Sequence, residues 1–231
     1  MQNQHVSSHD GTHQFAEHEL MFMMGEELKK PLTAIKALAE NSSQHKTIHA
    51  EARRALRTID NMLLYQRLSA DQLTLELEPV HVGSTLVQLA EELRPLSLEF
   101  GCETEVYIQS GISAVDADIA TLKSSLESLW QAVLGMTSRP SPLSWYVNKQ
   151  HNGIRVVLVN NSIDVSKISM TSSRKAGVSM QPYAGIAGPA TDLVTAHGLF
   201  DILGTKLTKV KKGTSAGFAV TLPISPQLVL V

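Results

Sequence analysis

The residues of this 231-residue chain whose types and spacing could do chemistry fall into a few short groups. His5, His9 and His13 recur at intervals of four, a spacing at which imidazoles on one helical face can bind a metal. Gly11 and the neighbouring serines oppose a helix there, so residues 1–12 read as a mobile, solvated tail. Glu26-Glu27-Leu28-Lys29-Lys30-Pro31-Leu32 places two carboxylates and two ammonium groups before a proline. Taken alone it is a charged helix face, bent where the proline ring removes a backbone donor. Cys102 is the only cysteine, which excludes an internal disulfide and a cysteine-rich zinc site. No basic residue beside it would activate its thiol, so its role is structural. Lys206, Lys209, Lys211 and Lys212 form a small basic cluster. It reads as a solvated face that could also steer an acidic partner.

The elements that must position these groups follow from periodicity. Residues 13–41 form a helix with Leu28, Leu32, Ile35 and Leu38 as an apolar stripe, interrupted at Pro31. Asn41-Ser42-Ser43-Gln44 is a turn, and a second helix runs over about 46–70 with Ala52, Ala55, Ile59 and Met62 on one face and Leu56 and Leu63 beside them. Together they predict an antiparallel hairpin over 13–70 whose stripe needs a further helical pair, most simply a second copy of the chain. Past residue 70 the pattern changes. Leu73 to Leu77 alternates as a strand does, and helices follow at about 83–100, 119–136 and 190–203. Between them lie strands at Thr104–Ile108, Ser113–Val115, Leu143–Val147 and Ile154–Val159, the last two joined at Asn152-Gly153. Residues 161–189 are looser, and strands at Lys206–Val210 and Phe218–Leu222 close the chain. Helices grouped against a mixed sheet predict an α+β fold: a helical hairpin, then a two-layer α/β sandwich over 71–231. Trp130 and Trp145, at apolar positions, are expected in the core.

Composition narrows the function. A hydrophobic content of 43% supports a packed core, and 20 Lys plus Arg against 22 Asp plus Glu leaves no basic field for duplex DNA. No apolar run is long enough for a membrane span and no signal-peptide pattern opens the chain, so a cytoplasmic location is expected.

With the motifs set in order, the chain resembles the catalytic core of sensor histidine kinases: a dimerisation and phosphoacceptor hairpin followed by an ATP-binding domain of the GHKL type. Glu26 to Ile35 (EELKKPLTAI) is similar to that family's H-box, usually close to H-E-L-R-T-P-L-T-A-I. Asp60 to Leu68 (DNMLLYQRL) looks like the end of the second hairpin helix. Leu75 to Val80 and Val115 to Asp118 resemble the start of the ATP-binding domain, and Phe218 to Pro223 its last strand. The resemblance spans about 15–225.

It also implies what has been lost. The phosphoacceptor position falls on Glu26, with Glu27 and Pro31 as neighbours, and a carboxylate does not form the phosphoramidate of an imidazole. A fixed charge imitating phosphohistidine is a second reading of Glu26. His18, two turns earlier, and His45 and His49, past the turn, do not replace it. The asparagine that holds Mg²⁺ in the family corresponds to Ala132, whose methyl cannot ligate a hard cation; Gln131 sits about 100° round the helix. The adenine-reading D-x-G-x-G becomes Asn160-Asn161-Ser162-Ile163-Asp164, in which Asn160 could still accept from an amine. The phosphate loop corresponds to Gly185 to Asp192, keeping Gly185 and Gly188 but adding Pro189, without an N–H, and the acidic Asp192.

The expectation is therefore a degenerate histidine kinase. It would be a homodimer built on a four-helix bundle, a scaffold or regulator that binds a response regulator receiver domain or a cognate kinase. By resemblance the contact involves Lys29, Lys30, Arg53, Arg54 and Arg57. It would not autophosphorylate, and no cofactor, metal or nucleic acid is expected. The alternative is a divergent but active histidine kinase, holding ATP and Mg²⁺ through Asn160, Gly185 and Gly188. A free-standing phosphotransfer protein would need a histidine where Glu26 stands.

Overall fold

A computed structural model describes residues 27, 28, 30–35, 45–69, 73–166, 168 and 190–226. The tail, Glu26, Lys29, the turn at 41–44 and the loop bearing Gly185 and Gly188 lie outside them. Residues 27, 28 and 30–35 are helical and are labelled α1. Then come α2 (His45–Ser69), β1 (Glu78–Val80), α3 (Val82–Glu99), β2 (Thr104–Ile108), β3 (Val115–Ala117) and α4 (Ile119–Met136). They are followed by β4 (Leu143–Gln150), β5 (Gly153–Asn160), α5 (Ala190–Ile202), β6 (Thr208–Lys212) and β7 (Ser215–Leu222).

Five strands form one sheet in the order β2-β4-β5-β7-β6. β2 runs parallel to β4 and every other pairing is antiparallel. β4 and β5 turn at His151-Asn152 into Gly153, where an added Cβ would collide with the Leu222 carbonyl. The close backbone approach of β7 explains that glycine. β1 and β3 make a separate antiparallel pair, in register Val80↔Val115.

Alternation along β4, β5 and β7 sorts side chains between two faces. Leu143, Trp145, Val147, Ile154, Val156, Leu158, Phe218 and Val220 enter the main core. They meet Leu86, Leu89 and Leu93 of α3 and Leu122, Leu126, Leu129 and Val133 of α4. Each fully buried leucine contributes about 2 kcal/mol by removal from water. Trp130 and Trp145 are 0% and 1% exposed, as their positions predicted, and the Trp130 indole N–H donates to Thr104 Oγ1 at 3.2 Å. Cys102 is also buried.

Several expectations need correction. Leu73 to Leu77 alternates but forms no strand; the strand is β1, at Glu78–Val80, where β3 supplies a ladder. The expected strand at Ser113–Val115 lies at Val115–Ala117, and that at Lys206–Val210 at Thr208–Lys212. Leu32, on the stripe expected to be covered by a second copy of the chain, is 58% exposed in the single chain. The α2 stripe does not wait for a second chain: Ala55 and Met62 are buried, and α2 packs on α4 and α5 of the same molecule. Among the described residues no helix is long and apolar enough to cross a membrane.

Candidate functional site

Helix α4 starts at Asp118, whose Oδ1 accepts from Thr121 N–H at 2.8 Å. The other oxygen accepts from Glu76 N–H at 3.1 Å, tying the approach to β1 onto the helix start. Partial burial alone would raise this carboxyl, but the N–H donors outweigh it and hold its pKa below the usual value.

The cap fixes the phase of α4. Ala132, the position that the resemblance gives to the magnesium ligand, is 0% exposed and belongs to the apolar core. Gln131 faces α2 instead, its Oε1 lying 3.4 Å from Thr58 Oγ1. The same hydroxyl lies 3.1 Å from Asp192 Oδ1 in the first turn of α5. A threonine hydroxyl carries one proton, so it can donate to only one of them at a time. Asn61, on α2 one turn after Thr58, is also buried. Asn61 Nδ2, Ser128 Oγ, Gln131 Nε2, Thr191 Oγ1 and Thr195 Oγ1 are buried without a hydrogen-bond partner among the described residues.

Asp192 is 3% exposed. Burial pushes its pKa up to about 7, against the opposing pull of Arg54 and of the Thr58 hydrogen bond. The carboxyl therefore changes charge near neutrality, inside a junction of three helices. Further along, Tyr65 of α2 lies against Gly198 of α5, where an added Cβ would run into the tyrosine ring. On the flank, Arg57 of α2 pairs with Glu127 of α4 at 3.0 Å. Burial raises the Glu127 pKa and Arg57 opposes that rise.

The other expected residues are placed as follows. Asn160 is 1% exposed, and its amide nitrogen donates to Ser141 Oγ at 2.7 Å and Pro142 O at 3.0 Å. Its Oδ1 accepts from Ser162 N–H at 2.8 Å and from the Ser162 hydroxyl at 2.7 Å. The amide joins the start of β4 to the end of β5. Lys30 is exposed and pairs with Glu27 at 3.1 Å. Arg54 sits with its guanidinium 5.8 Å from the Phe100 ring centroid. Glu26, Lys29, Gly185 and Gly188 fall outside the described residues, as does the side chain of Arg53. Among the described residues no group of His, Cys, Asp or Glu could hold a metal.

Sequence reasoning marked Asp192 but not its partner. Thr58 is 134 positions away in the chain and carries no local signal. The Tyr65–Gly198 contact was equally invisible.

No family model matches the chain, and no curated protein sequence matches it. Solved structures do. The chain is similar to the histidine kinase AdeS of Acinetobacter baumannii, with a TM-score of 0.58 at 11% identity over 87% of this chain and 98% of that one. It is also similar to the histidine kinase ThkA in its complex with the response regulator protein TrrA, with a TM-score of 0.59 at 14% identity over 97% of this chain and 69% of that one. Full-length ShkA in complex with AMPPNP gives a TM-score of 0.57 at 17% identity over 93% of this chain and 45% of that one. At such identities the likeness is one of fold, and the fold is that of histidine kinase catalytic domains.

Proposed function

We propose that the chain is a degenerate histidine kinase of two-component signalling, a dimeric scaffold or regulator that binds a receiver domain or a kinase without phosphorylating itself. One observation carries this reading: the first turn of α5, where the resemblance places phosphate, is occupied by the buried carboxyl of Asp192, hydrogen-bonded to Thr58 of α2. Ala132 supports it by offering a buried methyl in place of an oxygen ligand. Asn160 supports it because its amide is used within its own loop. The alternative is an active divergent kinase that holds ATP and Mg²⁺ through Asn160, Gly185 and Gly188.

Dimerisation is part of the same proposal. Leu56 is 60% and Leu63 46% exposed, seven residues apart on α2, and paired helices would bury them. The partner contact lies beside them, through Lys29, Lys30, Arg53, Arg54 and Arg57. The similarity to ThkA bound to TrrA makes a receiver domain the first partner to try.

The test is incubation of the purified chain with γ-labelled ATP and Mg²⁺. No label should remain on the protein; a phosphoprotein stable in base and lost in acid would overturn the reading. Sedimentation should give a dimer, converted to monomer by Leu56→Glu with Leu63→Glu.

A further inference from the structure

The five-stranded sheet ends on β2 at one side and β6 at the other, and the two ends are finished differently. β6 sets Lys209, Lys211 and Lys212 within its short span, and lysines on an edge discourage a further strand from adding there. β2 reads Thr-Glu-Val-Tyr-Ile, with neither lysine nor proline, and pairs with β4 without a bulge. Its ladder to β4 uses alternate residues. Leu143 N–H donates to Glu103 O at 2.8 Å and Gln109 N–H to Val147 O at 2.9 Å, so the odd-numbered backbone groups of β2 face β4. Those of Thr104, Val106 and Ile108 point the other way, and they have no backbone partner among the described residues. A row of open N–H and C=O groups is complementary to the main chain of another extended segment.

The side chains along this edge define the chemistry of that segment. On the helix side, Ile108 is 43% exposed and lies over Gly83, where an added Cβ would come within 3.1 Å of its Cδ1. Val87, one turn further along α3, is 47% exposed. Alternation turns Glu103, Glu105 and Tyr107 to the outer side. Glu105 Oε2 accepts from the Tyr107 hydroxyl at 3.1 Å and from Ser144 Oγ at 3.0 Å. Neither Glu103 nor Glu105 forms an ion pair among the described residues. Lys212, on the same outer face, lies over the Tyr146 ring instead, 3.0 Å from its centroid. An added strand would therefore meet apolar surface with one set of alternate side chains and two carboxylates without a counter-charge with the other.

We propose that the open edge of β2 takes up, as an added strand, an extended segment of a partner protein that is apolar at alternate residues and basic at those between. β2 takes no part in the α2–α4–α5 junction, so the proposal stands whatever the chain does with nucleotide. Fluorescence anisotropy of the full chain with a labelled octapeptide alternating valine and lysine tests it, together with amide hydrogen exchange. In the chain alone, the amides of Val106 and Ile108 should exchange faster than those of Tyr107 and Gln109, and the peptide should slow the first pair about tenfold or more. Proline is tolerated on an edge strand where the N–H faces outward, so Val106→Pro should fold and weaken the peptide about tenfold. Glu103→Lys should weaken it about threefold, and Lys211→Glu, on the opposite edge, should leave it within about twofold. N-methylation of one alternate set of peptide amides should abolish binding, and methylation of the other set should not. Absence of peptide binding or an equal response to both methylated peptides would overturn the proposal. So would protection of Val106 and Ile108 in the chain alone, the result expected if a second copy already paired at this edge.

Discussion

Helix α4 meets the sheet on one side and helices α2 and α5 on the other, and the two sides use different chemistry. Toward the sheet stand Leu122, Leu126, Leu129, Trp130 and Val133, all at most 1% exposed. Toward α2 and α5 stand Ser128 and Gln131, equally buried, with Thr58 and Asp192 across from them. The first side is held by non-directional burial, which tolerates approximate fit. The second holds polar groups out of water with incomplete pairing, which costs stability unless something else is gained.

The comparison can be broken first at its strong side. Trp130→Ala should cost about 3–5 kcal/mol in urea unfolding, since it empties a fully buried site and removes the bond to Thr104. At the junction, Gly198→Ala should cost about 1–3 kcal/mol by pushing Tyr65 off α5. In a Tyr65→Ala background most of that cost should vanish, a coupling that a double-mutant cycle reads directly.

Asp192 sharpens the difference through pH. Its folded pKa, about 7, lies above the ordinary value of 3.8, so the folded state holds the proton more tightly than the unfolded chain does. The resulting stability is fully present below about pH 4 and is lost as pH rises through about 7. Asp192→Asn should flatten this slope in denaturation measured from pH 4 to 8, and the variant should gain on the parent above neutrality. The smallest effect belongs to the flank, where Arg57→Ala, breaking the partly exposed pair with Glu127, should cost about 1 kcal/mol or less in the same assay.

The same contrast explains what was legible in the sequence. The leucines of α3 and α4 and the alternation of β4, β5 and β7 report burial against a single large neighbour, and local periodicity encodes that. The order of elements from β1 to β7 could be read from it. Leu73 to Leu77 misled because alternation becomes a strand only with a ladder partner, which β3 offers to Glu78–Val80 instead. The junction was hidden for a related reason: Thr58 and Asp192 are polar, far apart in the chain and brought together only by packing of α2 on α5. That Ala132 stands where the resemblance places the magnesium ligand was legible in the sequence; the packing of α2 on α5 was not.

The proposed lack of nucleotide binding rests on the α2–α5 contact, with the buried Asp192 at its centre. Isothermal titration of the full chain with a non-hydrolysable ATP analogue and Mg²⁺ tests it most directly. The account predicts no heat of binding at micromolar or higher micromolar concentrations; Mg²⁺-dependent binding in the micromolar range would contradict it.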